Sequence, residues 1–243
     1  MCVFALPQAV LADMQGNVQL KTTRHDNFNL ANGAEAPITE SVQTVLAGLS
    51  WYKGSSKDYV WLLSTYYSFN KYEKYTHLSG SSLSVMGGVF YRFNPTNSMT
   101  LKLGKRERKY DDEELSLYQD DAHFVWLQFS HRLSPTTKLN EKISYEENEP
   151  SISANKYNST TGQLWFDWKL SRSLRLYGGY KQTSRIYENS GNEYVFEEPY
   201  ASLSYSLARN MFAKVGYSKL KMTDSAGSRA YNPSAYLSIG FGF

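Results

Sequence analysis

The sequence of 243 residues contains one cysteine, Cys2. That excludes a disulfide framework and a thiolate metal site. It contains seven prolines and no apolar run approaching the eighteen or so residues that a membrane-crossing helix requires. Neither Ala nor Leu dominates, while Ser, Thr and Asn are plentiful, a composition that disfavours helices. There is no glycine-rich loop of the phosphate-cradling kind and no metal-ligand spacing, so no cofactor and no metal are expected. The pI is about 8.7. The basic residues are nevertheless not gathered on an accessible recognition face, and nucleic acid is not expected as a partner. The lack of a long apolar run does not exclude a membrane. Barrel strands cross with about ten alternating residues each, at low mean hydropathy.

What the sequence does have is aromatic residues and alternation. Tyr, Phe and Trp make up 15% of the chain. The segment "NPSAYLSIGFGF", residues 232–243, places Leu237, Ile239, Phe241 and Phe243 on one parity, with Ser238, Gly240 and Gly242 on the other. That is the signature of a strand with two different faces. Similar segments recur about every twenty residues, near 16–28, 39–53, 58–70, 81–94, 98–110, 119–134, 137–147, 157–171, 173–187, 196–208, 210–223 and 231–243. The connections alternate without exception. Tight polar turns ("GSSKD", "NPTNS", "SPTTK", "SRS", "ARN") take turns with longer polar loops near 29–38, 71–80, 110–118, 148–157, 188–195 and 224–231. The pattern predicts an all-β chain of about twelve strands in an up-and-down antiparallel array. So many long strands cannot remain an open sheet without exposing edges, so closure into a barrel is expected.

Parity then distinguishes two kinds of barrel. One parity is apolar throughout, for example Val125, Leu127 and Phe129, or Leu164, Phe166 and Trp168. The other holds Arg92, Lys102, Gln128, Arg132, Asn140, Lys142, Asp167, Lys169, Arg175, Lys181 and Lys214. A soluble core cannot bury that many charges, whereas a polar lumen can. Aromatic residues also concentrate at strand ends, as the interfacial girdles of a membrane barrel require.

On the terminal alternation ending in Phe243, and on the tight turns beside aromatic strand ends, the chain resembles the bacterial outer-membrane β-barrels. The resemblance covers residues 13–243 as one transmembrane domain. It implies an integral outer-membrane location with the termini in the periplasm, contact with outer-membrane lipids and lipopolysaccharide, and recognition of the last strand (Leu237, Ile239, Phe241, Phe243) by the barrel-assembly machinery. Size and strand count are similar to twelve-stranded porins for acidic oligosaccharides, although no motif ties the chain to them. The opening "MCVFALPQAVLADMQG" reads as the remnant of a secretory leader over residues 1–12, with Val10-Leu11-Ala12 as the cleavage pattern, although the positive segment that begins such leaders is missing.

The inward parity carries about a dozen basic residues, including Lys21, Arg106, Arg108 and Arg185, against Glu146 and Asp167 as inward acids. A narrow pore lined with one sign of charge concentrates counter-ions. The leading expectation is a narrow passive channel favouring small anionic solutes. Its selectivity would be set by Lys102, Lys142, Lys181 and Lys214, supported by Arg92, Arg106, Arg132 and Arg175. Inward Phe90, Phe124, Trp126, Trp165, Tyr177, Tyr200 and Phe212 are the argument against free diffusion, since such rings can plug a lumen of modest width. The alternative is therefore a non-conducting structural, assembly or surface-anchor barrel. A third reading makes Asp121 and His123, which share parity in "YQDDAHF", the pair of a surface hydrolase. "GKRERKYDDEE" is read first as a solvated hairpin tip whose opposite charges pair weakly; the alternative has its basic residues meeting lipopolysaccharide phosphates, with Asp111, Asp112, Glu113 and Glu114 sharing divalent cations.

Overall fold

In a computed structural model of the chain, residues 12–27, 38–54, 58–112, 120–150 and 156–243 are described. The twelve strands are β1 (Ala12–His25), β2 (Glu40–Gly54), β3 (Tyr59–Tyr72), β4 (Gly80–Arg92), β5 (Asn97–Tyr110), β6 (Asp120–Arg132), β7 (Thr137–Pro150), β8 (Tyr157–Lys169), β9 (Leu174–Tyr187), β10 (Glu193–Ala208), β11 (Met211–Asp224) and β12 (Arg229–Gly242). Each pairs antiparallel with its sequence neighbours, and β1 pairs with β12, closing the barrel. At that seam the Gly16 N–H donates to the Phe243 carbonyl at 2.8 Å, and the Phe243 N–H returns a bond to Gly16 at 2.9 Å. Closure leaves no edge to template aggregation.

The strand ends depart from the alternation by up to four residues. β1 begins at Ala12, inside the expected leader, and ends at His25 rather than near residue 28. The other residues of that expected leader, 1–11, lie outside the described residues. β7 runs on to Pro150 and β10 begins at Glu193, so both reach further toward the loop side than expected.

The tight turns are held by side chains of the residues that signalled them. Asn94 Oδ1 accepts from the backbone N–H groups of Thr96 and Asn97, both at 2.9 Å. Ser171 Oγ accepts from the Ser173 and Leu174 N–H groups at 3.2 and 3.1 Å. Both substitute for turn carbonyls, which is why these residue types recur there. On the opposite side, Glu40 is fully buried. Its Oε1 accepts from the N–H groups of Ser41 (3.1 Å), Glu73 (2.8 Å) and Lys74 (3.1 Å), and its Oε2 from Tyr75 (3.2 Å). One carboxylate thereby anchors the loop between β3 and β4, including the entry to its single 3-10 turn, Thr76–Leu78.

Burial is inverted relative to a water-soluble domain. Among the described residues twelve polar or charged side chains are buried and four apolar ones, so the interior is polar. Thirty-four large apolar side chains of the described residues are exposed on the outer wall, Leu103 at 62% and Leu237 at 58% among them. At roughly 1 kcal/mol for each half-exposed side chain, leaving them in water forfeits tens of kcal/mol, more than the 5–15 kcal/mol by which domains are typically stable. The outer wall therefore faces hydrocarbon, and the chain is a transmembrane barrel. Aromatic pairs mark the short-turn edge of the apolar belt: Tyr59 with Trp61, Tyr91 with Phe93, and Phe241 with Phe243.

Candidate functional site

The alternation carries each basic candidate inward. The register aligns Leu101, Leu103, Val125 and Leu127 on the lipid side, which leaves Lys102 and Arg106 of β5 and Arg132 of β6 in the lumen. The same argument places Arg92 on β4, Lys142 on β7, Arg175 and Lys181 on β9, and Lys214 on β11 inside. The inward basic residues are not evenly spread. Strands β4–β9 carry eleven Lys or Arg residues inward, Lys138 included, whereas β10–β3 carry Lys21 and Lys214. One wall of the lumen is thus strongly basic from mouth to mouth.

Toward the loop side two of these charges, Arg106 and Lys181, are compensated by acids. The Arg106 guanidinium donates to Glu146 Oε1 at 2.7 Å. The pair bridges over β6, where Ala122, in register with Arg106, is 0% exposed and small enough to lie beneath it. Lys181 lies 3.5 Å from Glu198, its direct register partner on β10. Arg185 stacks on Tyr157 at 4.1 Å and on Phe196 at 5.2 Å. Together with Arg108, His25, Tyr66 and a set of Ser and Thr hydroxyls, these groups line a cavity of about 690 Å³. Nearer the short turns, Arg175 donates to Asp167 Oδ2 at 3.3 Å.

Half-way down, the lysines lack acids. Lys102 Nζ donates to Ser64 Oγ at 3.4 Å and lies 5.5 Å from the Trp126 ring centroid. Lys142 lies 4.8 Å from the same ring. Lys214 lies over Tyr177 at 4.7 Å, and Lys21 over Tyr236 at 4.4 Å. None of these four has a carboxylate within ion-pair distance among the described residues. Lys181 therefore parts from the other three lysines with which parity grouped it, because Glu198 faces it. Parity could have found Glu198, since it shares a face with Ser202 and Ser204, but the Glu-Glu-Pro wording at the strand end obscured the face. Arg92 and Arg132 point inward at the short-turn mouth.

Several inward rings expected to plug the lumen lie along its wall. The space where a side chain of Gly240 would begin is taken by Phe212; at Gly179 and Gly104 the Tyr200 hydroxyl and the Phe124 ring come within 2.8 Å of that space, beside closer backbone oxygens. The glycines of neighbouring strands let these rings lie flat on the sheet instead of projecting across it.

Asp121 and His123 are on the outer wall, in register with Glu107 and Lys105. Lys105 Nζ lies 2.6 Å from Asp121 and 3.5 Å from Glu107, so the aspartate's partner is a lysine. The basic run of residues 104–109 is split by the alternation: Arg106 and Arg108 enter the lumen, and Lys105 and Lys109 face out. The expected acidic cluster lies partly outside the described residues, at Glu113 and Glu114. Above the apolar belt the outer wall carries clustered ion pairs. Lys156 lies within 3.2–3.5 Å of Glu147, Glu149 and Glu188, and bonding to Glu147 foremost raises its pKa above the ordinary lysine value. Lys221 meets Glu197, which also accepts from the Tyr180 hydroxyl at 2.7 Å.

No family model matches the chain, and no curated protein matches it. Solved structures do. The KdgM porin in complex with disordered oligogalacturonate is 10% identical, covering 93% of this chain and 99% of its own, with a TM-score of 0.54. An outer membrane channel from Pseudomonas putida F1 is 12% identical over 98% of this chain and 97% of its own, with a TM-score of 0.67. The outer membrane channel DcaP of Acinetobacter baumannii is 11% identical over 96% and 97%, with a TM-score of 0.53. With its apolar outer belt and polar interior, the chain has the fold of the bacterial outer-membrane channels.

Proposed function

We propose that the protein is a passive outer-membrane channel whose lumen favours small anionic solutes. The observation that carries this reading is the mid-lumen set Lys21, Lys102, Lys142 and Lys214, held over aromatic rings with no carboxylate in ion-pair range among the described residues. A ring attracts an ammonium by about 0.5–2 kcal/mol but leaves its charge intact. In a narrow low-dielectric wall that charge attracts anions and repels cations. The oligogalacturonate in the KdgM complex is an anionic solute in a barrel of like fold, which is in keeping with this reading. The test is the reversal potential of folded protein in a planar bilayer under a salt gradient. An anion-selective potential is expected. Absence of conductance overturns the channel, and a cation-selective potential overturns the anionic bias.

A non-conducting structural barrel has one observation in its favour, the compensated pairs Arg106–Glu146, Lys181–Glu198 and Arg175–Asp167. The same conductance measurement separates the two. We infer no catalytic role for Asp121 and His123, given the ion pair of Asp121 with Lys105. Turnover lost on His123→Ala with the barrel intact would reverse that inference. The short-turn side is proposed to face the periplasm and the charged outer collar the lipopolysaccharide. Phe243 is proposed to serve assembly with Phe241, Ile239 and Leu237, its ring covering Gly16 at the β1–β12 seam. Phe243→Ala should lower the yield of inserted barrel, measured by heat-modifiable migration, and unchanged yield would refute the role.

A further inference from the structure

Trp126 and Tyr236 lie on β6 and β12, strands six places apart in a closed ring of twelve, and so on opposite walls of the lumen. Each faces inward six residues before the short-turn end of its strand, Arg132 and Gly242. Each ring is straddled by two lysines from the strands on either side. Lys102 of β5 and Lys142 of β7 lie 5.5 and 4.8 Å from the Trp126 centroid. Lys21 of β1 lies 4.4 Å from the Tyr236 centroid, and Lys214 of β11 lies 6.0 Å from it, between that ring and Tyr177, to which it is nearer at 4.7 Å. The seat of Tyr236 is built for it: a Cβ at Gly216, its register partner, would sit 2.5 Å from the ring.

Each clamp holds two like charges near one ring with no acid between them. That arrangement is repulsive, and an anion placed there relieves it on both sides. Two such stations confront each other across one level of the pore. Strands spaced about 4.8 Å apart and tilted about 40° put the walls on the order of 24 Å apart, and the inward side chains narrow this to on the order of 10 Å. A solute with an anionic group at each end can reach both clamps. Once one end is held, capture of the other is intramolecular and proceeds at a high effective concentration. A monoanion has no such second step.

We propose that the two clamps form a two-point site for linear dianions of the α,ω-dicarboxylate class, one carboxylate at each clamp. This rests on the reading of the lumen as an anion pathway. The test titrates folded protein in planar bilayers, bathed in potassium chloride, with dicarboxylates from succinate to sebacate and with monocarboxylates of matching length. Dicarboxylates of one intermediate length should interrupt the chloride current at about tenfold lower concentration than their monocarboxylate counterparts, the gain of one further charge-assisted contact. Removing either clamp, by K102Q with K142Q or by K21Q with K214Q, should abolish that advantage, and removing both should add nothing. Equal block by the two series, or additive effects of the clamps, overturns the two-point site while the reversal potential in the same membranes still reports the anion bias. A reversal potential without anion preference overturns both. Where variants insert poorly, protein that keeps Trp126 as its sole tryptophan gives a second readout in detergent. Its emission should respond to the favoured dicarboxylate and not to the monocarboxylate, and no response to either refutes the site.

Discussion

The loop-side lumen and the mid-lumen carry similar basic side chains in opposite electrostatic states. At the loop side, Arg106 meets Glu146 and Lys181 meets Glu198. At mid-depth, Lys102, Lys142, Lys214 and Lys21 meet Trp126, Tyr177 and Tyr236. An acid cancels the field of its partner at a distance, and a ring does not. The difference separates charges that hold the wall together from charges that a passing ion can feel. Counting lumen cations therefore overstates the field, since residues of the first kind contribute little of it.

The largest effect should follow from removing the four mid-lumen charges together. Changing Lys21, Lys102, Lys142 and Lys214 together to Gln is expected to bring the anion-to-cation permeability ratio to about unity. The reversal potential measures it, and a retained anion preference would show that the paired residues set selectivity after all. Lys102→Gln alone should lower the ratio about fivefold, since one charge at about 8 Å in a watery lumen is worth about 0.5 kcal/mol to the anion and the opposite amount to the cation. Glu146→Gln should act in the opposite direction and more weakly. It uncovers the Arg106 charge, and the ratio should rise by about half, because loop-side charges are better screened. A fall on Glu146→Gln would break the comparison.

The sequence discloses the fold and the facing of each candidate because both rest on period two. Once Val125 and Leu127 are set outside, Trp126 and Gln128 must lie inside, and a closed barrel propagates that choice to every neighbouring strand. The pairings are a different matter. Arg106 reaches Glu146 diagonally across β6, past the small Ala122, a relation set by register and not by spacing along the chain. Glu40 gives no periodic signal at all, since its role is to accept loop N–H groups more than thirty residues away. Similarly, the alternation counts Tyr200 and Phe212 as obstructions. Only the register brings them over Gly179 and Gly240.

The smallest effect is the sharpest test of whether the loop-side pairs are structural. If Arg106 and Glu146 act only on each other, replacing both by Gln removes one positive and one negative charge at a single point. The far field, and with it the reversal potential, should then stay within measurement error, while Arg106→Gln and Glu146→Gln alone shift it in opposite directions. What the double replacement should lose is rigidity. The pair is part-buried and straddles β6, so its removal is expected to lower barrel stability by about 1–2 kcal/mol, less than either single change, each of which strands a charge against the wall. Urea unfolding in lipid vesicles reads this order. A double variant less stable than both singles would mean that Gln cannot replace the bridge, and that the pair contributes through geometry rather than through charge compensation.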